Sequence, residues 1–225
     1  MNSLVQKNKF ERGLWMSKLQ EISKIVEEGK QKKVEAIVKE ALNEGHNATE
    51  ILDSMIEAMG VVGELFKKSE IYIPEMLTAA HTMKKGVEVI QPLLVDSATT
   101  SLGTCVIGTV PGDLHDIGKN LVALMIESAG FNVIDLGVDV SAEKFIEAVN
   151  ANDDCKIVAL SCLLTTTMPA LTESVEGLIA AGLKEKVKII VGGAPITDEF
   201  SVKIGADGTA EDAASAAELA KSIIA

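Results

Sequence analysis

The chain has 225 residues, with 21 Lys and Arg against 33 Asp and Glu, a formal net charge of −12. So acidic a chain is not built to hold a phosphate backbone, and 3% aromatic residues leave no stacking platform for bases, so no nucleic acid partner is expected. Hydrophobic residues at 47% and charged residues at 24% suit a folded chain with a buried core and exclude global disorder.

Residues 1–15, MNSLVQKNKFERGLW, are polar and lack the apolar centre of a secretory leader, so they read as an N-terminal extension. No window holds the roughly 18 consecutive apolar residues that a membrane span needs, so a cytoplasmic protein with no membrane partner is expected. From Ser17 the apolar residues recur with helical spacing. Leu19, Ile22, Ile25 and Val26 form one stripe, and Val34, Ile37, Val38, Ala41 and Leu42 form the next, with Gly29 and Gly45 as stops. Asn47 or Thr49 can cap a third helix carrying Ile51, Leu52, Met55, Ile56, Met59, Val62 and Leu65. Pro74 suits the first turn of a fourth, which runs through Met76, Leu77, Ala80, Met83, Val87 and Ile90. Residues 16–95 are therefore expected to be a helical bundle, and Pro92 with the polar run at 96–103 a linker and hinge.

From Thr104 to the end, short apolar runs alternate with helical segments, and the acidic excess concentrates here: residues 101–225 carry 18 acidic against 8 basic side chains. CVIGTV, NVIDLGV, IVALSCL and IIVGGA read as buried strands, and segments near 117–129, 141–151, 168–182 and 210–224 as helices. That alternation predicts a parallel sheet with helices on both faces over 104–225. Ligands of such sheets sit beyond the carboxyl ends of the strands. Three cysteines, Cys105, Cys155 and Cys162, are too scattered for a disulfide framework or a CxxC metal site and read as reduced, half-buried thiols.

The chemistry-bearing residues follow the strands. After the first comes Gly112-Asp113-Leu114-His115-Asp116-Ile117-Gly118-Lys119-Asn120. Asp and His two positions apart in a loop can pair, which leaves the other imidazole nitrogen free for a metal. After the third strand come Ser161-Cys162-Leu163 and the hydroxyl run Thr165-Thr166-Thr167, and after the fourth the side-chain-free slot Gly192-Gly193. One histidine cannot hold a bare zinc ion, whereas one axial histidine suffices when a macrocycle supplies the other ligands. The spacing alone leaves two readings open: a one-ligand macrocycle site, or no metal and a hydrogen-bonded structural histidine.

Asp113, His115 and Gly118 match the Asp-x-His-x-x-Gly signature of base-off, His-on cobalamin-binding domains, and the chain resembles the corrinoid proteins of methyltransferase systems and the matching module of methionine synthase. Ser161-x-Leu163 and Gly192-Gly193 match later elements of that family, and ELFKKSEIYIPEMLTAAHTM (64–83) resembles its helical cap. The resemblance implies a four-helix cap followed by a Rossmann-like, flavodoxin-like doubly wound sheet of five parallel strands. It implies a cobalamin or related corrinoid with His115 as lower axial ligand of cobalt, and Asp113 and Thr167 behind it. Gly112, Leu114, Asp116, Ile117, Gly118, Ser161, Leu163, Thr165, Gly192, Gly193 and Ala210 would line the cofactor, and Phe66, Ile73 and Met76 would cover the upper corrin face. Residues 206–210 would open the last helix beside the nucleotide, while Asp116 and Lys119 are read either as helix caps or as cofactor contacts. His46 is expected to be solvated and His81 exposed or satisfied in the core.

The implied function is carriage of a methyl group on cobalt between two methyltransferases. One is substrate-specific, with a methoxylated aromatic, methanol, methylamine or betaine donor, and the other passes the methyl to tetrahydrofolate or a thiol carrier. A reductive activator would restore the oxidised cofactor. On this reading the chain is a cofactor-carrying subunit rather than a complete enzyme. A cobalamin-dependent sensor or regulator, the small subunit of an adenosylcobalamin mutase, and a flavodoxin-like domain without corrin are the alternatives.

Overall fold

The computed structural model describes residues 16–94 and 101–224. The extension at 1–15 and the linker positions 96–100 lie outside the described residues.

Among the described residues four helices come first: α1 (Lys18–Glu27), α2 (Gln31–Asn43), α3 (Ala48–Lys67) and α4 (Ile73–Leu94). Ser17 starts α1 with a capping box, its hydroxyl accepting from the Gln20 amide at 3.2 Å while the Gln20 side chain accepts from the Ser17 amide at 3.0 Å. Of the two candidate caps for α3 it is Asn47 that serves, because its Oδ1 accepts from the Glu50 amide at 2.9 Å and Glu50 accepts from the Asn47 amide at 3.1 Å. Pro92 departs from expectation. It lies inside α4 rather than in a linker. Only two helical residues follow it, so the hydrogen bond it cannot donate is lost in a terminal turn.

The chain divides into two compact units. The first takes the described residues up to Val62 together with those from Ile73 to Leu94, and its core is the apolar stripes of these helices: Ile22, Val26, Val34, Val38, Ile51, Met55, Met76, Met83 and Ile90 are all buried. A side chain at Gly86 would place its Cβ 2.6 Å from the Met55 sulfur, so the missing side chain is what lets α3 and α4 approach.

The second unit takes Gly63–Tyr72 and the described residues from Ser101 on. Its strands are β1 (Thr104–Thr109), β2 (Asn132–Asp135), β3 (Cys155–Ser161), β4 (Lys188–Gly192) and β5 (Gly208–Thr209). All pair in parallel, in the order β2-β1-β3-β4-β5. The helices between and after them are α5 (Ile117–Ser128), α6 (Ala142–Asn150), α7 (Met168–Ala180), α8 (Asp198–Lys203) and α9 (Ala213–Ser222). This is a Rossmann-like α/β fold. Alternation sorts the strand residues: Val106, Val158, Leu160, Ile189 and Val191 form one buried cluster with Phe145 and Val149 of α6 and Leu171, Val175 and Leu178 of α7. The intervening residues Cys105, Ile107, Ile157 and Ile190 are buried towards the opposite face, where α5 and α9 pack together.

Three sequence expectations are corrected here. β2 ends at Asp135, so the second half of the NVIDLGV run is loop. The last helix starts at Ala213, capped by the Asp212 carboxylate on the Ser215 amide at 2.8 Å, and not at 206–210, because Gly208 and Thr209 pair with Ile190 and Val191 as the fifth strand. All three cysteines are free and fully buried rather than half-buried, since each sits on or directly after a central strand. Among the described residues no helix is long and apolar enough to cross a membrane.

Candidate functional site

The chain leaves β1 for β2 on one side of the sheet and later returns to β3 on the other, so the strand order reverses between β1 and β3. The loops leaving the carboxyl ends of these two strands flank a crevice, the position at which doubly wound sheets bind ligands. They contain residues 110–116 and 162–164, and a single turn of 3₁₀ helix at Thr165–Thr167 follows the second.

The first loop is built tightly. The Val110 amide continues the sheet by donating to the Ser161 carbonyl at 3.0 Å, and the Asp113 amide closes a turn on the Val110 carbonyl at 3.2 Å. Gly112 has a φ of +79° within this turn, a conformation that glycine adopts without steric cost. The turn drives Asp113 inward until it has no exposed surface, while His115 keeps half of its side chain exposed.

Five donors converge on the Asp113 carboxylate. Oδ1 accepts from the His115 amide at 3.1 Å and pairs with His115 Nδ1 at 2.7 Å. Oδ2 accepts from the amides of Leu163 and Leu164 at 2.8 and 3.2 Å and from the Thr167 hydroxyl at 3.0 Å. Burial by itself pushes this carboxyl up, but the hydrogen bonds from the His115 ring, the His115 amide and the amides of Leu163 and Leu164 overrule it and hold the group well below the usual carboxylate range. Beside an ionised Asp113 it is Nδ1 of His115 that donates in this pair, and no hydrogen bond among the described residues engages Nε2, the nitrogen that can ligate a metal in the neutral imidazole.

The rim is apolar and open. Leu114 and Ile117 beside the histidine are 71% and 79% exposed, and Leu163 and Leu164 across the crevice are also exposed. A Cβ at Gly118 or Gly192 would meet nothing within 4 Å, so both flank free space. Gly193 differs: at a φ of +132°, its Cβ would lie 1.9 Å from the Cys162 carbonyl oxygen. Its missing side chain is used by the protein's own packing, and the free slot belongs to Gly192 alone. Ser161 ends β3 between Thr109 and Gly192, Thr165 is exposed, and Ala210 follows β5 partly exposed.

The remaining candidates are also placed. Lys119 is neither helix cap nor surface ligand, because its buried ammonium bonds Asp135 Oδ2 at 2.5 Å and Asn120 Oδ1 at 2.6 Å. Asp116 starts α5 without a side-chain cap, its carboxylate accepting instead from Asn120 Nδ2 at 3.3 Å. In the helical region Ile73 is exposed, Phe66 partly exposed, and Met76 buried on the core stripe of α4. His81 is exposed, and His46 lies 3.6 Å from Glu50.

Sequence reasoning missed several supports of the loop. Thr109, fully buried, donates its hydroxyl to the His115 carbonyl at 2.9 Å. Asp139 accepts from the Gly112 amide and donates its own amide to the Asp113 carbonyl. Thr109 lay hidden in an apolar strand run, while the acid-glycine-acid pattern Asp135-Leu136-Gly137-Val138-Asp139 directly after a strand was a usable signal.

Among the described residues no group of three or more His, Cys, Asp and Glu side chains gathers to hold a metal ion. A metal at this site therefore has to bring its other ligands with it. The residues present fit a macrocyclic complex: His115 would supply one nitrogen, the exposed Leu114, Ile117, Leu163 and Leu164 offer apolar surface, and Gly118 and Gly192 leave space free of side chains.

Two families described as B12 binding domain match the chain, one over residues 103–218 and the other over residues 18–91. Dimethylamine corrinoid protein 1 of Methanosarcina acetivorans is 41% identical over 209 residues, covering 92% of this chain and 97% of the relative. Trimethylamine corrinoid protein 2 of the same organism is 44% identical over 189 residues, covering 82% and 86%. Among solved structures, a methanol:cobalamin methyltransferase complex from Methanosarcina barkeri matches with a TM-score of 0.81 and 30% identity over 95% of this chain and 82% of that one. A cobalamin-binding protein from Desulfitobacterium hafniense DCB-2 matches with a TM-score of 0.76 and 28% identity over 91% and 97%. The helical half and the α/β half thus each match a B12 binding domain, and the chain belongs to the B12-binding corrinoid proteins.

Proposed function

We propose that this chain is the methyl-carrying subunit of a cytoplasmic methyltransferase system. It would take a methyl group from a substrate-specific methyltransferase and deliver it to a second one serving a folate or thiol carrier, with a separate reductive activator. The Asp113–His115 pair, with Nε2 free on an apolar rim, is the observation that carries this reading. The names of the relatives favour a methylated amine as the donor's substrate class, with methanol, methoxylated aromatics and betaines as the other candidates.

When bound, the corrinoid supplies a cobalt centre that accepts and releases the methyl group. The chain's own residues hold and tune it. His115 would ligate the lower face in a base-off, His-on arrangement. Asp113, itself clamped by four further donors, would fix the imidazole tautomer and raise its basicity, with Thr167 completing the relay. Asp113, held ionised by its donors, would keep the shared proton on Nδ1 of His115 and so leave Nε2 for the metal. Gly112, Leu114, Asp116, Ile117 and Gly118 would lie against the ring. Ser161, Leu163, Thr165, Gly192 and Ala210 would line the tail, with Gly193 packed against Cys162 behind them, and Phe66 and Ile73 are the proposed upper cover that excludes water, backed by the buried Met76.

The test is reconstitution of the purified chain with hydroxocobalamin, followed by reduction and exposure to methyl iodide. Uptake of one corrinoid and one methyl equivalent per chain, then transfer to a thiol in the presence of a second methyltransferase, is expected. Failure to retain any corrinoid, or retention without methyl uptake, would overturn it.

A further inference from the structure

We infer that Asp139 is a positioning residue for His115, acting through the backbone of the Gly112–Asp113 turn. The inference rests on His115 being the cobalt ligand, and adds to it a group from a different loop that controls where that ligand points.

Asp139 stands in the loop between β2 and α6 with a φ of +54°, a left-handed conformation uncommon for residues with a side chain. In that conformation both of its polar ends meet one target. Its carboxylate accepts from the Gly112 amide at 2.8 Å, and its amide donates to the Asp113 carbonyl at 3.1 Å. Those two groups are the two ends of the Gly112–Asp113 dipeptide, so the clasp fixes the direction in which Asp113 presents Oδ1 to the imidazole. The loop carrying Asp139 is in turn anchored. Asp135 accepts from the buried ammonium of Lys119 and, through Oδ1, from the Gly137 amide at 2.9 Å. The Thr109 amide donates to the Gly137 carbonyl at 3.0 Å, and the Val140 amide donates to the Thr109 carbonyl at 2.9 Å.

A conformation that costs backbone energy persists where the surrounding contacts determine it. Here the contacts are those with the histidine loop. Without the carboxylate, the Gly112 amide loses its acceptor, and the turn is held on this side by one hydrogen bond instead of two.

The test uses Asp139→Gly and Asp139→Asn. Glycine accepts the left-handed backbone and removes only the side chain, avoiding the strain that alanine would add. Asparagine keeps the backbone preference and an acceptor oxygen for Gly112. The first readout needs no cofactor: long-range proton–nitrogen correlation spectra of the whole 15N-labelled chain at pH 8, with His115→Gln as the assignment control. The wild type and Asp139→Asn are expected to show His115 as a single tautomer with the proton on Nδ1, and Asp139→Gly a mixture of both. The second readout is the absorption spectrum with bound hydroxocobalamin. Asp139→Gly is expected to bind one equivalent, but with the ratio of imidazole-coordinated to uncoordinated cobalt lowered about tenfold, the effect of one lost hydrogen bond, and Asp139→Asn to restore it. A single tautomer and a wild-type spectrum in Asp139→Gly would overturn the positioning role while leaving the corrinoid reading intact. A wild type that binds no cobalamin, with Asp139→Gly still mixing its tautomers, would overturn the corrinoid reading and leave the effect of Asp139 on His115 established.

Discussion

Thr167 donates its hydroxyl to Asp113 Oδ2 at 3.0 Å, although the two residues are separated by 54 positions in the chain. The contact spans the crevice between β1 and β3, so the loop that presents His115 is held by the turn that opens α7. The Thr167 oxygen also lies 2.9 Å from the Leu164 carbonyl, and its single proton favours the charged acceptor.

Thr167→Val removes that donor from a carboxylate with no exposed surface. A loss of about 1–3 kcal/mol in urea unfolding is expected, and Thr167→Ser, which keeps the hydroxyl, should recover most of it.

Asp113→Asn places amide hydrogens against atoms that are themselves donors, and should cost on the order of 3 kcal/mol at neutral pH. The cost depends on pH with a defined sign. The folded carboxyl is held below its ordinary value of 3.8, so its stabilisation is complete above that value and is lost as the pH falls from it toward the folded-state value. The wild type should therefore exceed Asp113→Asn by most at neutral pH, with the gap narrowing below about pH 4. Denaturant unfolding at a series of pH values reads this directly.

Adjacent glycines should respond in opposite ways. Gly193→Ala drives a Cβ into the Cys162 carbonyl from a backbone that disfavours any side chain, and should lower stability by about 3 kcal/mol or more. Gly192→Ala adds a methyl group to open space. Its melting temperature should stay within a few degrees of the wild type, while affinity for cobalamin falls if the tail occupies that slot.

Lys119→Met removes one partner of an ion pair whose lysine side chain is 1% exposed and whose aspartate is 39% exposed. Water can reach Asp135, so the expected loss is about 1–2 kcal/mol rather than the 3–5 kcal/mol of a fully buried pair. Urea unfolding of this variant beside Asp113→Asn should rank the two in that order.

The sequence carried the parts of this structure that repeat or that stand next to each other. Asp113 and His115 pair across two positions, as their spacing suggested, and four strands stood out as apolar runs. β5 did not, because two residues are too few to show a period. Pro92 marks a stop only when the chain ahead has more helix to form, and here two residues remained. The amides of Leu163 and Leu164 that hold Asp113 leave no mark on residue type, since every residue but proline has one. Lys119 stood in a polar run beside a helix start, and only the fold shows it turned inward to Asp135. Gly192 and Gly193 look alike as letters, but one faces open space and the other a carbonyl.

The most direct test of His115 as the cobalt ligand is electron paramagnetic resonance of the cobalamin-loaded chain reduced to Co(II). The unpaired electron lies along the axial direction and couples to whichever nitrogen occupies it. With protein grown on 15N-histidine and cobalamin of natural abundance, each cobalt line should change from a nitrogen triplet to a doublet, and the coupling should vanish in His115→Ala. A triplet that survives the label would place the cofactor's own base on the metal and contradict the account.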